Sequence, residues 1–77
     1  MIGITVLGST GSIGVSTLDV VGRHPERFRV VALTANRDAS RLLDQVRRFR
    51  PRFAVLADPG AASELRDKLR AEGLDPE

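Results

Sequence analysis

The pattern that organises this chain lies in IGITVLGSTGSIG, residues 2–14. Residues 2–7 are mostly apolar or β-branched with little alternation, which predicts a strand buried on both faces. The turn that follows has glycines at Gly8, Gly11 and Gly14, and a helix-like run continues to Val21. Amides in a first helical turn have no partner inside the helix, and the helix dipole adds positive partial charge there. The stretch therefore predicts an anion site suited to the pyrophosphate of a dinucleotide.

The glycine spacing is G-x-x-G-x-x-G, so its first turn is one residue longer than in the G-x-G-x-x-G fingerprint. Its context is the one that the fingerprint requires, because a strand precedes it and a helix follows within a βαβ unit. The alternative is a tight turn that binds no ligand, whereas a P-loop is excluded because no Gly-Lys-Ser/Thr follows. We expect Gly14 to let the helix pack on the sheet. The residues expected to face the pyrophosphate are Thr10, Gly11, Ser12 and Ile13.

The rest of the chain continues the alternation of strands and helices. We predict strands over residues 2–7, 28–34 and 53–57, and helices from residue 11 or 12 to before Pro25, from the Asp38 cap to about Phe49, and over residues 61–72. Parallel strands with right-handed crossovers predict a Rossmann-like α/β fold with strand order 3-2-1. Three such units form one half of a doubly wound domain. We therefore expect residues 1–77 to be the N-terminal portion of a larger nucleotide-binding domain.

The loop after the second strand bears on the choice between NAD and NADP. NAD sites usually place an acidic residue at this strand end, but here it reads Thr34-Ala35, followed by Asn36 and Arg37. An arginine fork suits a 2′-phosphate, which favours NADP. The alternatives are a solvated loop arginine at Arg37 and an Asp38 that weakens its field. We interpret Asp38 as the cap of the second helix.

Composition excludes several classes of site. The 77 residues contain no cysteine and one histidine, so a disulfide, a thiolate nucleophile and a His-rich metal site are excluded. No apolar run approaches the ~20 residues that cross a bilayer, and the chain starts as a strand without a basic leader. We therefore expect a cytoplasmic protein without a membrane partner.

The basic residues argue only weakly for nucleic acid. All but one of the 12 are arginine, yet the net charge is +2 and the only aromatic residues besides His24 are three phenylalanines. Nucleic-acid modules usually cluster basic residues on one face, with aromatics between them. We interpret residues 47–52 as the solvated end of the second helix and His24 as a capping or surface residue. Several hydroxyls lie near the glycine loop, but none has an evident general base.

A longer set of motifs resembles a known family. These motifs are GSTGSIG at residues 8–14, STLDVV at 16–21, HPE at 24–26, FRVVAL at 28–33 and PR at 51–52. They resemble the N-terminus of the 1-deoxy-D-xylulose 5-phosphate reductoisomerase family across nearly the whole chain. The glycine loop alone is shared with semialdehyde dehydrogenases and other reductases, whereas the longer set is much more specific.

The resemblance implies an NADPH-dependent oxidoreductase of isoprenoid-precursor biosynthesis. The family rearranges 1-deoxy-D-xylulose 5-phosphate and reduces the resulting aldehyde with NADPH to 2-C-methyl-D-erythritol 4-phosphate. A divalent metal, magnesium or manganese, chelates the substrate. The resemblance also implies a homodimer in the full-length protein. Its metal ligands and substrate-phosphate residues lie beyond position 77, so we expect no catalytic or metal-binding residue in this segment.

The resemblance also assigns cofactor contacts. It places Thr10, Gly11, Ser12 and Ile13 at the NADPH phosphates and Arg37 at the 2′-phosphate, and Asn36 completes the predicted set. The family usually has Gly, then Lys or Arg, then Asn in this second loop. Here the loop reads Asn36, Arg37, Asp38, so the basic residue is retained and both neighbours differ.

Three other functions stay open on sequence grounds. One is another NADP-dependent reductase of the semialdehyde dehydrogenase type, which would need a catalytic cysteine downstream instead of a carboxylate cluster. A second is a non-catalytic nucleotide-binding regulatory module. The third is a nucleic-acid-binding fragment, which would show salt-dependent binding to DNA or RNA without dinucleotide binding.

Overall fold

The computed structural model describes residues 1–74, which form a three-stranded parallel sheet with three helices. The elements are β1 (Ile2–Val6), α1 (Ser12–Arg23), β2 (Phe28–Ala35), α2 (Ala39–Phe49), β3 (Phe53–Leu56) and α3 (Pro59–Ala71). The strands lie in the order β1-β2-β3, which is the predicted order 3-2-1 viewed from the other edge. The α/β class and the alternation are therefore confirmed. The predicted domain extends to Glu77, and its last three residues lie outside the described part.

Two aspartates start the second and third helices, and the one at Asp38 was predicted. The Asp38 carboxylate accepts a hydrogen bond from the Arg41 amide at 3.0 Å, and the Asp58 carboxylate accepts one from the Ala61 amide at 2.9 Å. Both bonds satisfy donors that have no partner inside their helix. The third helix begins at Pro59 instead of the predicted Ala61, because proline at the first helical position needs no amide partner.

The pairing of β1 with β2 contains an irregularity that determines which side chains are buried. Ile4 pairs with Val30, but the next residue, Thr5, pairs with Ala32, so Val31 is an extra residue on β2. This bulge reverses the alternation along β2. Val30 is buried before it, and Leu33 and Ala35 are buried after it. These side chains share one core cluster with α1, α2 and α3.

The prediction that β1 is buried on both faces is wrong for this structure. Only Val6 of its five residues is buried, and Ile2 is 59% exposed. Within residues 1–74 the strand is an edge strand, paired with β2 alone. The face that carries Thr5 and Val55 also remains exposed, and Val55 is 52% accessible. An apolar run without alternation predicts a strand, but its burial depends on which elements cover it.

Candidate functional site

The six predicted site residues lie at one edge of the sheet. Thr10, Gly11, Ser12 and Ile13 follow β1 and open α1, whereas Asn36 and Arg37 follow β2. The strands are parallel neighbours, so both loops leave the same carboxyl edge. Backbone hydrogen bonds tie each loop to the neighbouring element: the Ser9 amide donates to the Thr34 carbonyl of β2 at 2.8 Å, and the Asp58 amide, before α3, donates to the Asn36 carbonyl at 2.9 Å.

Two glycines determine the path of the first loop. Gly8 has φ +68°, a left-handed conformation that other residues rarely adopt. Gly14 is buried, and a β-carbon there would overlap the Gly8 carbonyl oxygen and lie 2.6 Å from Ser9 Cα. We predicted that Gly14 lets the helix pack on the sheet, whereas its close contact in the structure is with Gly8 and Ser9 of the loop.

The N-terminus of α1 differs from those of the other two helices. Its cap residue is Gly11, which provides no side-chain hydrogen bond, whereas α2 and α3 are capped by aspartates. The first turn contains no acidic residue. Gly11, Ser12 and Ile13 are exposed, and Ile13 is 83% accessible. The amides at the start of α1 thus lie at a positive helix end without a protein anion beside them, which is an arrangement that binds phosphate.

The second loop provides a cationic side chain. Arg37 is exposed, and its guanidinium forms no ion pair with any residue of the described chain, 1–74. Asp38 instead lies against α2, where it caps the helix and places a carboxylate oxygen 3.6 Å from Arg41 Nε. Its interpretation as the cap of α2 is confirmed. The Asp38 carboxylate interacts with Arg41 and with the N-terminus of α2. The positive charge of Arg37 is therefore available to a ligand.

Sequence reasoning missed two side chains that hold the glycine loop from α2. The Arg41 guanidinium donates to the Thr10 carbonyl at 3.4 Å, and Gln45 exchanges two hydrogen bonds with Ser9. Asp38, Arg41 and Gln45 follow one another at three- and four-residue spacing on the helix. Such spacing places side chains on one helix face. The signal in the sequence that could have identified these side chains is this row of polar residues on α2, beside the buried Leu42 and Val46.

His24 and the ion pairs of Arg47 lie away from this edge. His24 ends α1 at the opposite end of the sheet, and its Nδ1 lies 3.8 Å from a Glu26 oxygen. Arg47 joins α2 to α3 through Glu72 and also pairs with Asp44 at 2.9 Å. Among residues 1–74 no three His, Cys, Asp or Glu side chains are grouped so that they could hold a metal ion.

No helix in the described part of the chain combines the length and apolar character needed to cross a membrane.

Curated relatives match the chain over nearly its whole length. The 1-deoxy-D-xylulose 5-phosphate reductoisomerase of Nitrosospira multiformis is 62% identical over 74 residues, which cover 96% of this chain and 19% of the relative. The enzyme of the same name from Laribacter hongkongensis is 62% identical over 72 residues, with 94% and 19% covered. The chain thus spans about a fifth of the length of these relatives.

Solved structures show the same fold. A 1-deoxy-D-xylulose 5-phosphate reductoisomerase from Zymomonas mobilis in complex with NADPH superposes with a TM-score of 0.85 at 46% identity, covering 91% of this chain and 18% of that one. A reductoisomerase in complex with magnesium superposes with a TM-score of 0.93 at 35% identity, covering all of this chain and 19% of the other. The sequence pattern of the 1-deoxy-D-xylulose 5-phosphate reductoisomerase family matches residues 4–77. The chain therefore belongs to the 1-deoxy-D-xylulose 5-phosphate reductoisomerase family.

Proposed function

We propose that residues 1–77 are the N-terminal part of the NADPH-binding domain of an enzyme that isomerises and reduces 1-deoxy-D-xylulose 5-phosphate to 2-C-methyl-D-erythritol 4-phosphate. The observation that carries the proposal is that the uncapped start of α1 and the exposed Arg37 lie at the same edge of a parallel sheet. A family structure of the same fold binds NADPH. In this proposal the complete enzyme is a cytoplasmic homodimer of isoprenoid-precursor biosynthesis.

The residues present fit the phosphates of NADPH. Ser12 and Ile13 would approach the pyrophosphate with backbone amides, because neither a capping side chain nor an acidic residue occupies that helix end. The Gly11 amide donates to the Gly8 carbonyl at 3.0 Å, so Gly11 would contribute close approach through its missing side chain. Thr10 precedes it and is anchored through its carbonyl by Arg41. When bound, NADPH supplies the hydride for reduction. This chain's part is to bind and orient the cofactor.

Arg37 is the residue that would distinguish NADPH from NADH. Its guanidinium presents a planar fork of donors, which matches a 2′-phosphate in two parallel hydrogen bonds. Asn36 lies beside it, and the Asn36 carbonyl ties this loop to Asp58 at the start of α3. The loop is therefore held from its backbone while both side chains remain exposed.

The described residues do not fit a metal. Residues 1–74 hold no group of ligands for magnesium or manganese, although a family structure contains magnesium. The proposal assigns metal binding, substrate binding and the carbon-skeleton rearrangement to the rest of the enzyme, since this chain spans about a fifth of its relatives' length.

An NMR amide titration of the chain with NADPH, and separately with NADH, tests the binding proposal. We expect both cofactors to shift the amides of Thr10, Gly11, Ser12 and Ile13, and NADPH alone to shift Arg37 and to bind more tightly. Arg37→Gln should abolish the difference between the cofactors. Arg27→Gln is the matched control, because Arg27 is exposed at the opposite end of the sheet. A dispersed spectrum that responds to neither cofactor would contradict the proposal.

Activity requires a complete enzyme. A chimera in which this chain replaces the matching segment of the Nitrosospira multiformis reductoisomerase provides one, since the two segments are 62% identical. We expect the chimera to consume NADPH in the presence of 1-deoxy-D-xylulose 5-phosphate. A folded chimera without that activity would contradict the enzymatic part of the proposal.

A further inference from the structure

Ser9 is the one buried polar residue in the described part of the chain, and its side chain is bonded to α2. Its exposed fraction is 0%. The Ser9 hydroxyl donates to Gln45 Oε1 at 2.7 Å, and Gln45 Nε2 donates back to the Ser9 carbonyl at 2.7 Å. The Ser9 amide donates to the Thr34 carbonyl at 2.8 Å. All polar groups of Ser9 are therefore satisfied, two of them by one glutamine.

The Ser9–Gln45 pair links the glycine loop to the hydrophobic core. On α2, Gln45 stands between Leu42 and Val46, which are 0% and 1% exposed. On the loop, Ser9 lies directly before Thr10, and its Cα packs against Gly14 in the first turn of α1. A shift of Ser9 would therefore move the amides that begin α1. Gln45 holds Ser9 by both its hydroxyl and its carbonyl, so it restrains that shift from two atoms.

We infer that Gln45 is a positioning residue for dinucleotide binding: it sets the distance of the glycine loop from α2, and so the positions of the amides that receive the pyrophosphate. The inference rests on the proposed function. Gln45 itself is partly buried beneath the loop and makes its polar contacts there with Ser9. Its effect on the cofactor is therefore exerted through Ser9.

The test compares Gln45→Met, Ser9→Ala and Asp44→Asn in the chimeric enzyme described above. Methionine keeps the length and volume of glutamine but removes both hydrogen bonds. Ser9→Ala removes one bond and keeps the donation from Gln45 Nε2. Asp44→Asn is the control, because Asp44 is the adjacent residue and its exposed carboxylate pairs with Arg47.

We expect Gln45→Met to raise the KM for NADPH about tenfold and Ser9→Ala to raise it about threefold, in line with two lost bonds and one. The expected kcat is near that of the parent chimera, because the loop contacts the NADPH phosphates equally in the bound complex and in the transition state. The preference for NADPH over NADH should not change, because Arg37 is untouched. A loss of fold would instead lower the apparent kcat, because less enzyme is active, and would leave the KM values of both substrates unchanged.

The outcomes separate the inference from the proposed function. A parent chimera that does not use NADPH would overturn the proposed function. A parent that uses NADPH, with unchanged KM in Gln45→Met, would overturn the inference alone. If Gln45→Met does not fold, Ser9→Ala decides: a raised KM for NADPH supports the inference, and an unchanged KM contradicts it.

Discussion

Gly14 and Ser9 are in direct backbone contact, since a β-carbon built on Gly14 would lie 2.6 Å from Ser9 Cα. The contact places the first turn of α1 against the loop that precedes it. No side chain larger than hydrogen fits at this position without moving the backbone of Gly8 and Ser9. The loop can pack this closely on α1 because Gly14 has no side chain. The phosphate site that we propose depends on this packing.

We expect Gly14→Ala to destabilise the chain by about 1–3 kcal/mol, because the added methyl group meets backbone atoms that cannot rotate away. Urea denaturation measures this change. Gly60→Ala is the matched control: its β-carbon would meet nothing nearer than an Asp58 carboxylate oxygen at 3.5 Å, and alanine favours the helix. Equal stability of Gly14→Ala and the parent would refute the packing argument.

The Asp38 carboxylate is expected to act mainly as a helix cap. Asp38→Ala removes the bond from the Arg41 amide and should lower stability by about 1 kcal/mol. Asp38→Asn should retain nearly all of it, because asparagine caps helices as well as aspartate. Thermal unfolding of the two variants distinguishes the cap from the ion pair. If Asn were as damaging as Ala, the pairing with Arg41 at 3.6 Å would be the dominant contribution.

The Arg47–Glu72 pair predicts acid sensitivity of the contact between α2 and α3. The hydrogen bond from Arg47 holds the pKa of Glu72 below its usual range, and Nε of Arg47 lies 2.7 Å from Glu72 Oε1. A lowered folded-state pKa means that the stabilisation is complete above the ordinary carboxyl value of about 4.3 and is lost as the pH falls through the folded value. Glu72→Gln should therefore be less stable than the parent at neutral pH and equal to it in acid.

Urea denaturation of both proteins between neutral and acidic pH measures this difference. Glu64→Gln is a control for removing an exposed glutamate on the same helix, since Glu64 pairs with Lys68 at 3.0 Å within α3. A constant gap between Glu72→Gln and the parent at all pH values would show that the pair does not titrate with folding.

Ser9 and Gln45 should be energetically coupled in folding as well as in binding. Gln45→Met leaves the buried Ser9 hydroxyl and carbonyl without partners, at a cost of about 1–3 kcal/mol. Adding Ser9→Ala removes the stranded hydroxyl, so the double variant should recover part of the loss. A double-mutant cycle by urea denaturation measures the coupling. Strictly additive losses would mean that the two side chains act independently.

The order of elements followed from local signals in the sequence. Apolar runs marked the three strands, and Asp38 marked the start of α2. These signals act within a few residues, so they can be identified without the fold. The parallel order followed in turn, because crossovers between parallel strands have one hand. The six predicted site residues at the carboxyl edge of the sheet followed from that order, while their contacts with a cofactor stay a prediction.

Only the tertiary structure decided which residues support that site. Ser9 and Gln45 are far apart in sequence, and their pairing depends on how α2 packs on β2 beneath the loop. The burial of β1 likewise depends on its neighbours and not on its own residues. Ile2 and Thr5 are exposed because β1 is an edge strand within residues 1–74. The sequence by itself determined the elements, their order and the glycine loop, since each depends on neighbouring residues. The support of the loop and the exposure of its strand depend on contacts between distant residues, which no local pattern specifies.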